Sequence, residues 1–184
     1  VRPIPRCNQV DLCQNVALIA GYPSAEACRH SAAQARGVLF FFIEGNRMKI
    51  DIERLGLKNV AIDPETLFSF PQGIAGFEDC KRFKIFHEEG KPTVFWLQSV
   101  DDAEVTFPIV APETLDIEYQ IELSDADCEL IGMQGIEDVV VVVIVYRDEA
   151  QSGRIAANAR SPVILNLKNR KGMQKVLQNV HPTL

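Results

Sequence analysis

From Met48 onward, apolar and polar residues alternate with the two-residue period of a half-buried β-strand. Met48, Ile50 and Ile52 share one face, and Lys49, Asp51 and Glu53 the other. The pattern predicts a first strand over 50–55 and a short extended piece at 61–62. A third, over 67–70, stops at Pro71, which has no N–H to give to a ladder. Strands over 83–86 and 94–97 flank a polar connection, 88–92. Residues 105–110 read as a strand interrupted by Pro108, hence an edge or a bulge. Ile117, Tyr119, Ile121 and Leu123 alternate with Glu118, Gln120 and Glu122, which predicts a further strand. Residues 139–146 are all β-branched or aromatic, a run apolar on both faces that belongs inside a sheet or barrel. Strands over 155–157, 163–167 and 173–177 complete the set, with a turn over 168–172.

Two segments break the β pattern. Pro71-Gln72-Gly73-Ile74-Ala75-Gly76-Phe77 places two glycines three apart in a turn, where φ > 0 is available to Gly alone at little cost. Ser124, followed by Asp125 and Asp127, is a helix N-cap with acids in the first turn, and Gly132 is a stop signal. This series of short strands with one helix in 48–184, and no strand–helix alternation, predicts an all-β, mainly antiparallel small β-barrel or roll with one short helix.

Charge narrows the function. The chain has 19 Lys+Arg against 25 Asp+Glu, net -6, and an acidic surface repels phosphate backbones. The longest apolar runs, 38–43 and 139–146, fall well short of the ~20 residues of a spanning helix. Five cysteines without regular spacing argue against a disulfide framework and for a reducing compartment. Cys28 and His30 make a lone C-x-H with no second pair, so no metal site is expected.

Residues 1–47 hold neither Met nor Lys and no lasting strand pattern. Val1 is what a GTG start codon would give when read literally, and codons for Glu44-Gly45 can contain a ribosome-binding GAGG ahead of Met48. The expectation is a tail outside the fold, translated only by a mis-assigned start, with the domain at 48–184. That domain carries 14 Lys+Arg against 22 Asp+Glu, net -8.

Little catalytic chemistry is visible. No G-x-S-x-G, H-E-x-x-H or P-loop occurs, and Gly73-x-x-Gly76 is flanked by strands and by Glu78-Asp79, which suits a structural turn better than a phosphate clamp. The acidic pairs at 88–89, 101–102 and 148–149 fall in loops, where solvated charge needs no catalytic explanation. The residues favour a binding protein over an enzyme. A barrel whose mouth, near Phe95 and Trp96, binds a small molecule is the alternative.

Met48-Lys49-Ile50, Phe70-Pro71-Gln72-Gly73-Ile74-Ala75-Gly76-Phe77-Glu78, Leu97-Gln98-Ser99, Phe107, Pro112, Tyr119, Asn158, Ser161-Pro162-Val163-Ile164 and Gly172-Met173-Gln174 follow one another along the chain. In this order the motifs resemble the flagellar assembly factor FliW family. The resemblance implies a β-barrel, no catalysis, no cofactor and a cytoplasmic regulator. It implies binding to the RNA-binding translational repressor CsrA, relieving repression of flagellin translation, and to flagellin, with no direct contact to nucleic acid or membrane. Partner contacts are expected at Pro112, Glu113, Asp116, Glu118, Tyr119, Gln120 and Glu122, and structural roles at Gly73 and Gly76. Phe107 is expected to pack in the core.

Overall fold

The computed structural model describes residues 2–3, 48–52, 56–87 and 93–177. Residues 4–47, most of the expected tail, lie outside these, as does the polar connection at 88–92. Twelve strands are described: β1 (Arg2–Pro3), β2 (Met48–Ile52), β3 (Leu57–Ile62), β4 (Phe68–Ser69), β5 (Arg82–His87), β6 (Phe95–Ser99), β7 (Thr106–Val110), β8 (Glu122–Leu123), β9 (Val139–Asp148), β10 (Arg154–Ala157), β11 (Val163–Asn166) and β12 (Lys171–Gln174). Among the described residues one α-helix, α1 (Asp125–Leu130), lies between β8 and β9.

Seven strands run in the order β9–β11–β12–β4–β5–β6–β7 and close into a barrel where β7 returns to β9, Ile109 opposite Ile144 and Val110 opposite Val143. Every neighbour pair is antiparallel except β12 with β4. This is the all-β barrel with one short helix that the alternation predicts. Pro108 sits opposite Trp96 of β6, one residue before β7 begins to pair with β9. The missing N–H thus falls at the seam, as its reading as an edge anticipates.

β9 explains its own composition. Val140, Val142 and Ile144 point into the barrel interior, where Phe68, Phe83 and Leu165 are fully buried. Val139 and Val141 point outward into a second cluster with Ile121, Leu123, Ile131 and Met173. Val143 and Val145 face outward with Val110, and Tyr119 and Ala157 pack against them. A continuous valine run is therefore buried on both sides, by the barrel lumen and by a segment laid across the wall.

That segment corrects one expectation. Residues 117–123 do alternate in burial, Ile121 and Leu123 buried and Glu118, Gln120 and Glu122 exposed. Only Glu122–Leu123 belongs to a ladder, with Arg2–Pro3. The rest is an extended strap, not a strand of the barrel. Alternation records which side of an extended chain is packed, and that is independent of whether its main chain has a partner.

The barrel interior is filled by side chains, which opposes the ligand-binding alternative. Phe95 is buried in the core, and its neighbour Trp96 points to the other face of β6. These two residues cannot line one cavity.

Candidate functional site

The strap begins where β7 ends. Pro112 opens a 3₁₀ turn, Pro112–Leu115, for which its fixed φ and missing N–H are suited. Pro112 is buried, and its carbonyl accepts from the Ile117 N–H at 3.1 Å. Glu113 is half-buried, and burial pushes its carboxyl above the usual range. Asp116 ends the turn in the left-handed region at φ 54°, a conformation a short polar side chain tolerates, and is exposed. The chain then runs extended, sending Glu118, Gln120 and Glu122 outward and Ile117, Tyr119, Ile121 and Leu123 toward the wall.

Three anchors fix the strap to the barrel. The Tyr119 hydroxyl donates to the Ala159 carbonyl at 2.7 Å, and burial pushes its pKa up to about 12. Ser124 and Asp127 form a capping box at the start of α1, the Asp127 carboxylate accepting from the Ser124 N–H at 2.9 Å. That carboxylate also pairs with Lys175 Nζ at 2.5 Å. Burial works to raise the Asp127 carboxyl, but the bonds from Lys175 and Ser124 outweigh it and hold the group below the usual carboxylate range. At the far end, fully buried Asn166 donates to the Ile131 carbonyl at 3.1 Å and accepts the N–H groups of Lys168 and Asn169 at 3.0 Å each. Asn169 also donates to the Gly132 carbonyl.

Of the residues expected to touch a partner, the structure brings Asp116, Glu118, Gln120 and Glu122 to one solvent-facing side of the strap. Exposed Asp125 and Glu129 of α1 follow in sequence. Pro112 and Tyr119 are turned to the barrel and hold that row in place. Asp127, Lys175 and Asn166 were not foreseen. Their contacts span 48 and 35 residues, beyond the reach of any local pattern. The one available signal was the buried polar position of Asn166 within an apolar strand pattern.

The motif glycines are structural. Gly73 has φ 75°, and a Cβ there would meet the Glu78 main chain at 2.7 Å; Gly76 has φ 83° with open space around it. Glu78 accepts from the Gly76 N–H at 2.8 Å, and Gln174 from the Ala75 N–H at 2.9 Å, tying the turn to itself and to β12. In Leu97-Gln98-Ser99, Gln98 is fully buried and donates to the carbonyls of Ser99, Ala103 and Val105 at 2.9–3.2 Å, organising the β6–β7 loop. Phe107 packs against the core and stacks edge-on with Phe77, centroids 5.1 Å apart, as expected.

Among the described residues no group of three or more His, Cys, Asp or Glu side chains is placed to hold a metal ion, and no helix is long and apolar enough to cross a membrane.

Comparison with known proteins places this arrangement. Residues 50–183 match the family model described as FliW protein. A flagellar assembly factor FliW from Azoarcus sp. (strain BH72) is 41% identical over 138 residues, 72% of this chain and 93% of the relative. One from Chromobacterium violaceum is 37% identical over 137 residues, 70% of this chain and 92% of the relative. A crystal structure of the flagellar assembly factor FliW superposes with a TM-score of 0.64 at 27% identity, covering 73% of this chain and 92% of that one. With a barrel of the same fold and a family match across the whole described domain, the chain belongs to the FliW family of flagellar assembly factors.

Proposed function

We propose that the protein is a non-catalytic cytoplasmic regulator of flagellar assembly that works by binding other proteins: a CsrA-type RNA-binding translational repressor, and flagellin. Binding the repressor relieves repression of flagellin translation, and free flagellin competes to reverse it. The observation that carries this reading is the acidic side of the strap, Asp116, Glu118 and Glu122 exposed on a segment held to the wall by Tyr119, Asp127 and Asn166. A protein that binds RNA presents basic surface, and a fixed row of carboxylates complements it without the ordering cost of a mobile loop. The same row disfavours RNA as the ligand. Phe68, Phe83, Leu97 and Leu165 pack together inside the barrel, which favours binding at the outer surface.

The test is direct titration of the full chain with purified CsrA-type protein, and separately with flagellin, by calorimetry. Saturable binding to both, with flagellin displacing the repressor, is expected. Absence of binding to either protein contradicts the reading.

A further inference from the structure

On the reading that the partner is a CsrA-type protein, we infer that the open pocket beside α1 anchors it by taking one of its arginine side chains, the stem laid over Cys128 and Met133 and the guanidinium held by Asp125 and Glu129. The pocket has a volume of about 310 Å³ and is lined by Asp125, Cys128, Glu129, Gly132, Met133 and Gln134. It lies at the small end of the range for ligand clefts, which suits one long side chain better than a cofactor. One stretch of chain supplies the whole lining because Gly132, at φ 62°, turns the chain back after α1. The Met133 N–H then donates to the Cys128 carbonyl at 2.7 Å, which sets the two sulfur side chains next to each other.

Floor and walls divide the chemistry. The Cys128 thiol donates to the Met133 thioether at 3.9 Å, and both side chains pack against the cluster of Ile121, Leu123 and Ile131 under the strap. A sulfur floor backed by core is apolar and polarizable, a surface on which the methylene stem of an arginine settles while its head stays at the wall. Asp125 and Glu129 are four residues apart on α1, hence on one face of the helix, and both are exposed. Asp127 is committed elsewhere, to the Ser124 cap and to Lys175 at 2.5 Å. Two lysines stand at the Gly132–Gln134 rim. Lys168 Nζ is 3.5 Å from Gln134 Oε1 and 3.6 Å from Asp138, and Lys171 Nζ lies 3.9 Å from where a Cβ on Gly132 would sit. The potential across the pocket therefore falls toward α1, so a bound cation puts its head on the helix side. A guanidinium offers five donors in a planar fork that meets two carboxylates at once, whereas an ammonium is a compact, strongly hydrated point charge. The rim is set in advance, since Asn166 and Asn169 both donate to the Gly132 carbonyl, and a preformed pocket spares ordering cost on binding. The pocket also continues the outer side of the strap, because exposed Glu122 is followed by Leu123, the cap Ser124 and then Asp125.

Thiol footprinting and binding kinetics on the full chain test this together. Alkylation of Cys128 by iodoacetamide, mapped by peptide mass separately from the other cysteines, should slow about tenfold once CsrA-type protein is roughly tenfold above its dissociation constant. Glu129→Gln should raise the dissociation rate of that protein about tenfold and leave the association rate within about twofold, because a desolvated charge pair acts on residence and a rim charge on encounter. A capped Gly-Arg-Gly peptide should protect Cys128 by itself, and its citrulline counterpart, uncharged and of similar shape, should not. Binding of CsrA-type protein with Cys128 alkylated at the free rate, and with Glu129→Gln released no faster than wild type, overturns the inference and leaves the functional reading standing. No binding of CsrA-type protein overturns both. Protection by the arginine peptide in that case would show that the chemistry of the pocket was assigned correctly and its partner was not.

Discussion

The barrel and the strap use the same sequence pattern for different ends. In β11, a run of apolar residues lies in a ladder with β9 on one side and β12 on the other. In residues 116–121 a similar alternation lies on an extended chain outside the sheet, held by side chains instead. A ladder makes a strand rigid through its neighbours. A strap anchored by a few side chains is held through its inner face and leaves Asp116, Gln120 and Glu122 exposed on the other.

Breaking each region should show the difference most strongly in the apolar layers. Phe83→Ala, in the lumen, should cost about 3–5 kcal/mol, and Leu123→Ala, under the strap, about 2–5 kcal/mol. The two should differ in kind. Amide exchange should show Phe83→Ala lowering protection throughout the barrel, and Leu123→Ala raising exchange in 116–131 first. Equal loss everywhere in both variants would mean the strap is one cooperative unit with the barrel.

Much of this was legible beforehand. The alternation gave the strands, Ser124 and Gly132 bounded the helix, and the F-P-Q-G-I-A-G-F segment gave the tight turn, because each is a local signal. What escaped was set by long-range partners. Nothing near residues 117–121 says that their main chain lacks a ladder, and nothing near Asp127 announces Lys175.

The turn gives the next largest effect. Gly73→Ala must place a Cβ against main chain while keeping a left-handed conformation, and should cost about 2–4 kcal/mol. Gly76→Val meets only the conformational penalty, about 1–3 kcal/mol. Thermal unfolding of both variants checks the order. A larger loss at Gly76 would show that open space there is filled by something the turn needs.

Lys84 gives a smaller effect with a definite pH signature. It is buried on the outer side of β5, and burial, aided by Arg170 and opposed by Asp63, pushes its pKa down from 10.5 to about 8. Below pH 8 both the folded and the unfolded chain hold this proton. Between about 8 and 10.5 the unfolded chain binds more, so this group's contribution to stability rises with pH across that window. Lys84→Met should stabilise the protein at pH 7 by on the order of 1–2 kcal/mol and flatten that rise. Denaturant unfolding at pH 7 and pH 9.5 measures both. A destabilised variant would show that the ammonium is better paired than its burial indicates.

The smallest effect on stability carries the central claim. Glu118 and Glu122 lie exposed on the outer side of the strap, and reversing surface charges of this kind changes stability by within about 0.5 kcal/mol. Their proposed role is to steer a basic partner, which acts on the rate of association. The decisive measurement is the association rate of wild type and Glu118→Lys/Glu122→Lys with CsrA-type protein across a salt series. It spans screening lengths from about 10 Å at 0.1 M to about 3 Å at 1 M. The account predicts a wild-type rate that falls steeply with salt and a double variant that is slow at low salt, with unchanged thermal stability. A rate indifferent both to salt and to the reversal would contradict it.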